Sequence, residues 1–210
     1  MTPELVGAAA VLFDLDGTLI DTEPVWMAAE LRLAAAHGAR WTEQDAVACI
    51  GNPIPVSAQR LRDAGVALPV EEIVQRLLGE VVSVVRGEIP WQPGAAQLLK
   101  SLHGRVPLAL VTMSYRSLAG AVLDALPDGT FTAVVTGDEV THGKPHPEPY
   151  LRACALLGVR PQDCVVVEDS PAGIASGLAA GARVVAVPHV APLPPDAPVT
   201  VVPTLELLVG

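Results

Sequence analysis

The sequence predicts an α/β fold: a doubly wound, mainly parallel sheet of Rossmann-like type, carrying an inserted cap of four helices. Three observations predict it. Five short apolar runs rich in Val, Leu or Ala are flanked by Gly, Pro or charge, the texture of strands buried on both faces. Helical stretches lie between the last four runs, as strand–helix alternation in such a sheet requires. Residues 22–88, between the first run and the rest, show helical periodicity and no convincing strand.

The first strand covers 8–13. Thr22 then stands where an N-cap belongs, opening a helix that runs to about His37 with Gly38 as its stop. Thr42 caps a short second helix ending near Gly51, and a third spans 56–64 before Gly65. The fourth has the clearest apolar stripe, at Val70, Ile73, Val74, Leu77, Leu78, Val81, Val82 and Val85, the i, i+3, i+4 rhythm of one buried face. Pro90 and Pro93 mark the return. The chain thus divides into a core of residues 1–20 and 89–210 and a helical cap of residues 21–88. In the core, helices at 94–102, 116–126, 148–157 and 172–180 alternate with strands at 108–111, 132–135, 164–167 and 183–187. Gly158 and Gly181 sit at helix C-caps, and the proline-rich stretch 187–198 reads as a surface connection.

Composition narrows the function. The chain has 210 residues, 50% of them apolar and 17% charged, enough for a real core and unlike a disordered chain. Thirteen basic against 23 acidic residues give a net charge of −10, which repels nucleic acid and anionic membrane. Aromatics at 3% leave no base-stacking platform. No apolar run approaches the roughly 20 residues of a membrane span. The start carries the acidic Glu4 and no basic flank, unlike a secretion signal. Cys49, Cys154 and Cys164 read as reduced thiols, Cys164 inert inside an apolar strand. The expectation is a cytoplasmic protein, monomer or weak homo-oligomer, with no nucleic-acid or membrane partner.

The chemistry lies at strand ends. The first strand runs into Asp14-Leu15-Asp16-Gly17-Thr18, the second into Thr112-Met113-Ser114 and the fourth into Glu168-Asp169-Ser170, and Gly143-Lys144-Pro145 lies in the loop after the third. Ligands bind at the carboxyl ends of strands in open α/β sheets. Any one of these motifs alone reads as a helix cap. Together they turn up to four carboxylates on one lysine, a cost relieved by a bound cation. Oxygen donors without Cys or His at those strand ends favour Mg²⁺ over Zn²⁺. His142 and His146 flank Lys144, but Gly143 and Pro145 break any helix that would align them, so both read as loop histidines. Trp26, Trp41 and Trp91 read as packing.

These residues carry a resemblance. The Asp-x-Asp-Gly-Thr motif at 14–18, Thr112, the Lys144-Pro145 pair and the acids Glu168-Asp169 occur in the order and spacing of the haloacid dehalogenase superfamily of phosphatases. A helical cap just after the first motif is similar to the subgroup containing β-phosphoglucomutase and small-molecule phosphatases. The resemblance implies a Mg²⁺-dependent phosphatase acting on small phosphate monoesters such as sugar or polyol phosphates. Asp14 is the implied nucleophile, forming an aspartyl-phosphate, and Asp16 the general acid and then base. Asp14, the Asp16 backbone carbonyl and Asp169 hold the metal. Thr112, Ser114 and Lys144 bind phosphate. Glu168 and Ser170 support from behind, Glu168 by orienting Lys144 or a metal-bound water.

Two rival readings share the scaffold and a third is of another class. A 2-haloacid dehalogenase needs no acid at Asp16. A β-phosphoglucomutase-like mutase carries a cap arginine and a cap histidine where this chain aligns Ile54, in Gly51-Asn52-Pro53-Ile54, and Trp26. Arg60 and Arg62 are the nearest basic side chains. A phospho-accepting signalling domain lacks both the cap and the late acidic pair.

Overall fold

A computed structural model describes residues 2–50, 53–190, 192–193 and 197–210. Its strands are β1 (Ala10–Phe13), β2 (Leu108–Val111), β3 (Ala133–Val135), β4 (Cys164–Glu168), β5 (Arg183–Ala186) and β6 (Thr200–Val201). They form one sheet in the order β3-β2-β1-β4-β5-β6, and every pairing is parallel. Residues of β1, β2 and β4 are buried throughout, as expected of central strands covered on both faces. Alternation along β1 sends Val11 and Phe13 to one side and Ala10 and Leu12 to the other. The first side packs α5 (Ala95–Leu102) and α6 (Arg116–Leu123), the second α7 (Glu148–Leu157) and α8 (Pro171–Ala180).

The sheet departs from expectation at one edge. β6, absent from the sequence reading, pairs with β5 through Val185↔Thr200 and Ala186↔Val201. Two exposed residues beyond a proline-rich stretch, partly outside the described residues, leave no apolar run to read. Helix α6 stops at Leu123, three residues early. The amides of Ala125 and Leu126 bond only three residues back, to the carbonyls of Val122 and Leu123, a tight turn that Pro127 cannot extend.

Four helices stand between β1 and α5: α1 (Glu23–Ala36), α2 (Glu43–Val47), α3 (Ile54–Asp63) and α4 (Val70–Gly87). A capping box joins Thr42 and Asp45 at α2, and the helix ends at Val47, short of the expected stop at Gly51, which itself lies outside the described residues. Thr22 does not act as expected. Its side chain makes no cap bond to α1 and turns to Asp16 instead. α1, α3 and α4 bury a core of their own, including Ala29, Leu33, Leu61, Ile73 and Leu77. Helix α4 belongs to two cores: Ile73, Val74 and Leu77 pack within the module, while Leu78, Val81 and Val85 pack with the sheet's first layer. Trp26, Ile54 and Tyr115 also touch both.

The chain enters and leaves the module side by side. Asp21 N donates to Pro90 O at 2.7 Å and Gln92 N to Leu19 O at 2.9 Å, making an antiparallel bridge between Ile20 and Trp91. Among the described residues no helix is long and apolar enough to cross a membrane.

Candidate active site

The strand order turns at β1 and β4, which are neighbours in space but separated in sequence by two strands, β2 and β3. A crevice opens at such a switch point. Register fills it with acids. Phe13 pairs with Val167 and Asp14 N donates to Val167 O at 3.1 Å, so Asp14 emerges level with Glu168. Asp14, Glu168 and Asp169 are all buried, with carboxylate oxygens within 4.8 Å of one another.

Lys144 arrives from the loop after β3. Its Nζ donates to Asp14 Oδ1 at 2.5 Å, Glu168 Oε1 at 2.6 Å and the Val111 carbonyl at 2.9 Å. All three ammonium hydrogens are used. Tyr150 OH donates to Glu168 Oε1 at 3.0 Å, and its ring lies 5.0 Å from Nζ. The other Glu168 oxygen accepts from Asp169 N, Ser170 N and Ser170 Oγ, each at 3.0 Å. Ser170 Oγ also accepts from Gly173 N at 3.0 Å, capping α8. A Cβ at Gly173 would fall inside the Glu168 carboxylate, so this first helical turn needs glycine. Gly17 is constrained likewise: its φ is +88° and a Cβ there would fall on the Asp169 carboxylate. Thr18 Oγ1 donates to Asp169 Oδ1 at 2.8 Å.

Asp16 stands apart from this cluster. Its Oδ1 accepts from Thr22 Oγ1 at 2.6 Å and its Oδ2 from Thr112 Oγ1 at 3.3 Å. Thr112 Oγ1 in turn accepts from Ser114 N at 2.9 Å. The two aspartates of one motif therefore meet different partners, a lysine for Asp14 and two hydroxyls for Asp16.

Electrostatics mark the same spot. Burial pushes the Asp14 carboxyl well above the usual carboxylate range, and Glu168 and Asp169 add to this against the opposing pull of Lys144. Asp169 is raised to about 7 by burial and by Glu168. Burial alone would pull Lys144 down, but Asp14 and Glu168 outweigh it and hold the ammonium well above its ordinary range. Three buried carboxyl groups face one ammonium, and the raised Asp14 and Asp169 show how costly their ionisation is without a further cation. The donors are all oxygen, so the residues present fit a hard divalent cation.

The structure brings Asp14, Lys144, Glu168 and Asp169 into direct contact and places Asp16 and Thr112 beside them. In the sequence reading Asp16 shares the metal with Asp14 and Asp169 through its backbone carbonyl, a different atom from the carboxylate engaged here by hydroxyls, and the third acid of the cluster is Glu168. Ser114 joins through its backbone amide and Ser170 as a helix cap. Sequence reasoning missed Thr22, Tyr150 and the bond made by Thr18. Of these only Thr18, inside the 14–18 motif, carried a signal.

Residues 8–181 match the family model described as haloacid dehalogenase-like hydrolase. The chain is 37% identical to hexitol phosphatase A of Escherichia coli over 179 residues, 84% of this chain and 81% of that one. It is 34% identical to the fructose-1-phosphate phosphatase YqaB of the same species, over 82% of this chain and 93% of that one. The crystal structure of CbbY from Rhodobacter sphaeroides in complex with phosphate superposes with a TM-score of 0.84 at 26% identity, covering 96% of each chain.

Proposed function

The chain belongs to the haloacid dehalogenase-like hydrolase family, and on that premise we propose that it is a Mg²⁺-dependent phosphatase of small sugar or polyol phosphates, working through an aspartyl-phosphate. The observation that carries the proposal is the divergent fate of Asp14 and Asp16. Asp14 sits among cation-demanding groups, while Asp16 is held by neutral hydroxyls within reach of the same crevice.

Asp14 attacks phosphorus through a carboxylate oxygen as the bond to the substrate oxygen breaks. Asp16 gives its proton to that departing alkoxide. Asp16 then takes a proton from water, which attacks the aspartyl-phosphate, releases inorganic phosphate and restores Asp14. Asp14, Asp169 and the Asp16 carbonyl would hold Mg²⁺, which when bound supplies positive charge between Asp14 and the incoming phosphoryl group. Lys144 and Thr112 grip phosphoryl oxygens, with Ser114 on the same loop. Glu168 keeps Lys144 aimed through their 2.6 Å pair.

Residues 21–88 act in this reading as a cap that opens for substrate and closes before chemistry, turning on the paired linkers near Ile20 and Trp91. A closed cap admits small substrates, which agrees with relatives named for hexitol and fructose 1-phosphates. Hydrolysis is favoured over mutase chemistry because the cap offers no free second cationic grip at the aligned position. Ile54 packs against both cores, and Arg60 Nη1 donates to the Ala48 carbonyl at 2.6 Å.

The test is a panel of hexitol and sugar monophosphates, including β-glucose 1-phosphate with a trace of bisphosphate, offered to chelator-stripped protein. Inorganic phosphate is expected with Mg²⁺ and none without. Full activity in excess chelator removes the metal from the proposal. Isomerised sugar phosphate without phosphate release makes the protein a mutase.

A further inference from the structure

We propose that the loop bearing Lys144 carries a second metal site, for a zinc-class transition ion, formed by His142, His146 and Glu148 on the outside of the molecule. These three offer ligand atoms that all lie within 4.8 Å of one another. No helix aligns the histidines. A turn does: His146 N donates to Gly143 O at 3.0 Å, folding 142 and 146 onto one side until their ring centroids are 4.6 Å apart at 34°. Gly143 and Pro145 break a helix here as expected, and the same residues build the turn that brings the two rings together.

The ligand set is held from several directions. Glu148 Oε1 accepts from Thr141 N at 2.7 Å, and Oε2 accepts from His142 N at 3.0 Å. His142 Nδ1 and Glu148 Oε2 lie 2.9 Å apart, so a small widening brings them to the edge of about 3.4 Å between two ligands of one tetrahedral ion with bonds near 2.1 Å. The bonds from the Thr141 amide and the His142 side chain keep the Glu148 carboxyl below its usual range, so it is anionic at neutral pH. His146 Nδ1 accepts from Glu148 N at 3.2 Å, and the His146 carbonyl accepts from Ser176 Oγ at 2.6 Å, fixing the loop to α8. An ion seated here replaces the hydrogen shared by His142 and Glu148 and takes one nitrogen from each ring and one oxygen, with water completing four-coordination.

The donor set decides which ion. Imidazole suits Zn²⁺, Ni²⁺ and Cu²⁺, whereas Mg²⁺ keeps to oxygen. The buried cluster of Asp14, Glu168 and Asp169 has no nitrogen ligand, so the two sites select different metals. Lys144 lies between the two histidines, so an ion there ties together both ends of the segment that delivers it to Asp14.

Metal-stripped protein in saturating Mg²⁺ is titrated with Zn²⁺, bound metal is counted by elemental analysis after gel filtration, and thermal unfolding is followed in parallel. Wild type is expected to retain one Zn²⁺ and gain in Tm, since an ion that binds the folded form stabilises it. His142→Ala and His146→Ala, both exposed positions, should each weaken Zn²⁺ binding by at least about tenfold, the scale of losing even an outer partner of a metal site. Both should abolish the Tm gain and still bind Mg²⁺. Absence of Zn²⁺ uptake by wild type, or equal uptake by wild type and both histidine variants, overturns the proposal.

Discussion

Two regions of the molecule bury carboxylates, and they keep them in different ways. At the sheet edge Asp14 and Glu168 share the ammonium of Lys144 at 2.5–2.6 Å, and Asp169 beside them completes a cluster that suits a cation. In the helical module Glu30 is 4% exposed, yet among the described residues the one hydrogen bond to its side chain comes from Trp41 Nε1 at 3.3 Å. Burial pushes it to about 7. Glu23, at the start of α1, is likewise raised to about 7, by burial and by Asp16, Asp21 and Glu30. Among the described residues neither makes an ion pair. Burial raises acids in both regions; the difference is the partner, an ammonium at the sheet edge against an indole N–H in the module.

The sharpest way to break this contrast is at Asp14. Asp14→Asn should form no phosphoenzyme, because an amide oxygen is a poor nucleophile, and turnover should vanish in both rapid-quench labelling and steady-state assays. A labelled enzyme in that variant would transfer the role to another acid. Asp16→Asn should bind phosphate and metal yet turn over about 10²–10⁴ times more slowly on sugar phosphates. Its loss on an activated aryl phosphate should be far smaller, and equal losses on both would remove the acid role. Lys144→Met strands three buried acids without their cation. In chelator it should cost about 3–5 kcal/mol by urea unfolding, as removing one partner of a buried pair does, and Mg²⁺ should restore part of it.

The smallest effect sharpens the other side of the comparison. Glu30 binds its proton more tightly folded than unfolded. Its contribution is therefore complete below the ordinary glutamate range and is lost as pH rises through about 7. Wild-type stability should fall across that window by about 1–3 kcal/mol. Glu30→Gln should remove its share of that fall, the rest staying with Glu23, Asp14 and Asp169, and exceed wild type above pH 8, read from urea midpoints. A variant as pH-sensitive as wild type would show that Glu30 ionises freely.

Much of this was legible in the residues, for physical reasons that also set the limits. Parallel strands covered on both faces leave unbroken apolar runs, so β1 to β5 were readable; β6, two exposed residues long, left none. Acids at strand ends stand out because repulsion makes them costly without purpose. Thr22 did not stand out, since a hydroxyl just before a helix reads as a cap until its partner is seen to be Asp16. Tyr150 was hidden in the same way: an aromatic on an amphipathic helix reads as core, and only the fold puts its hydroxyl on Glu168. The histidines around Lys144 were judged by helical spacing, which a turn does not obey.

The paired linkers carry a consequence for exchange of parts. A segment whose two ends leave the sheet side by side, joined by the Ile20–Trp91 bridge, can be cut out and replaced by another with adjacent ends without shifting any strand of the core. The graft is not free of conditions. Leu78, Val81 and Val85 of α4 fill space in the sheet's own layer, so a donor module must bring an apolar helix of its own to cover α6. The scaffold therefore accepts a new module as a cassette with one required edge.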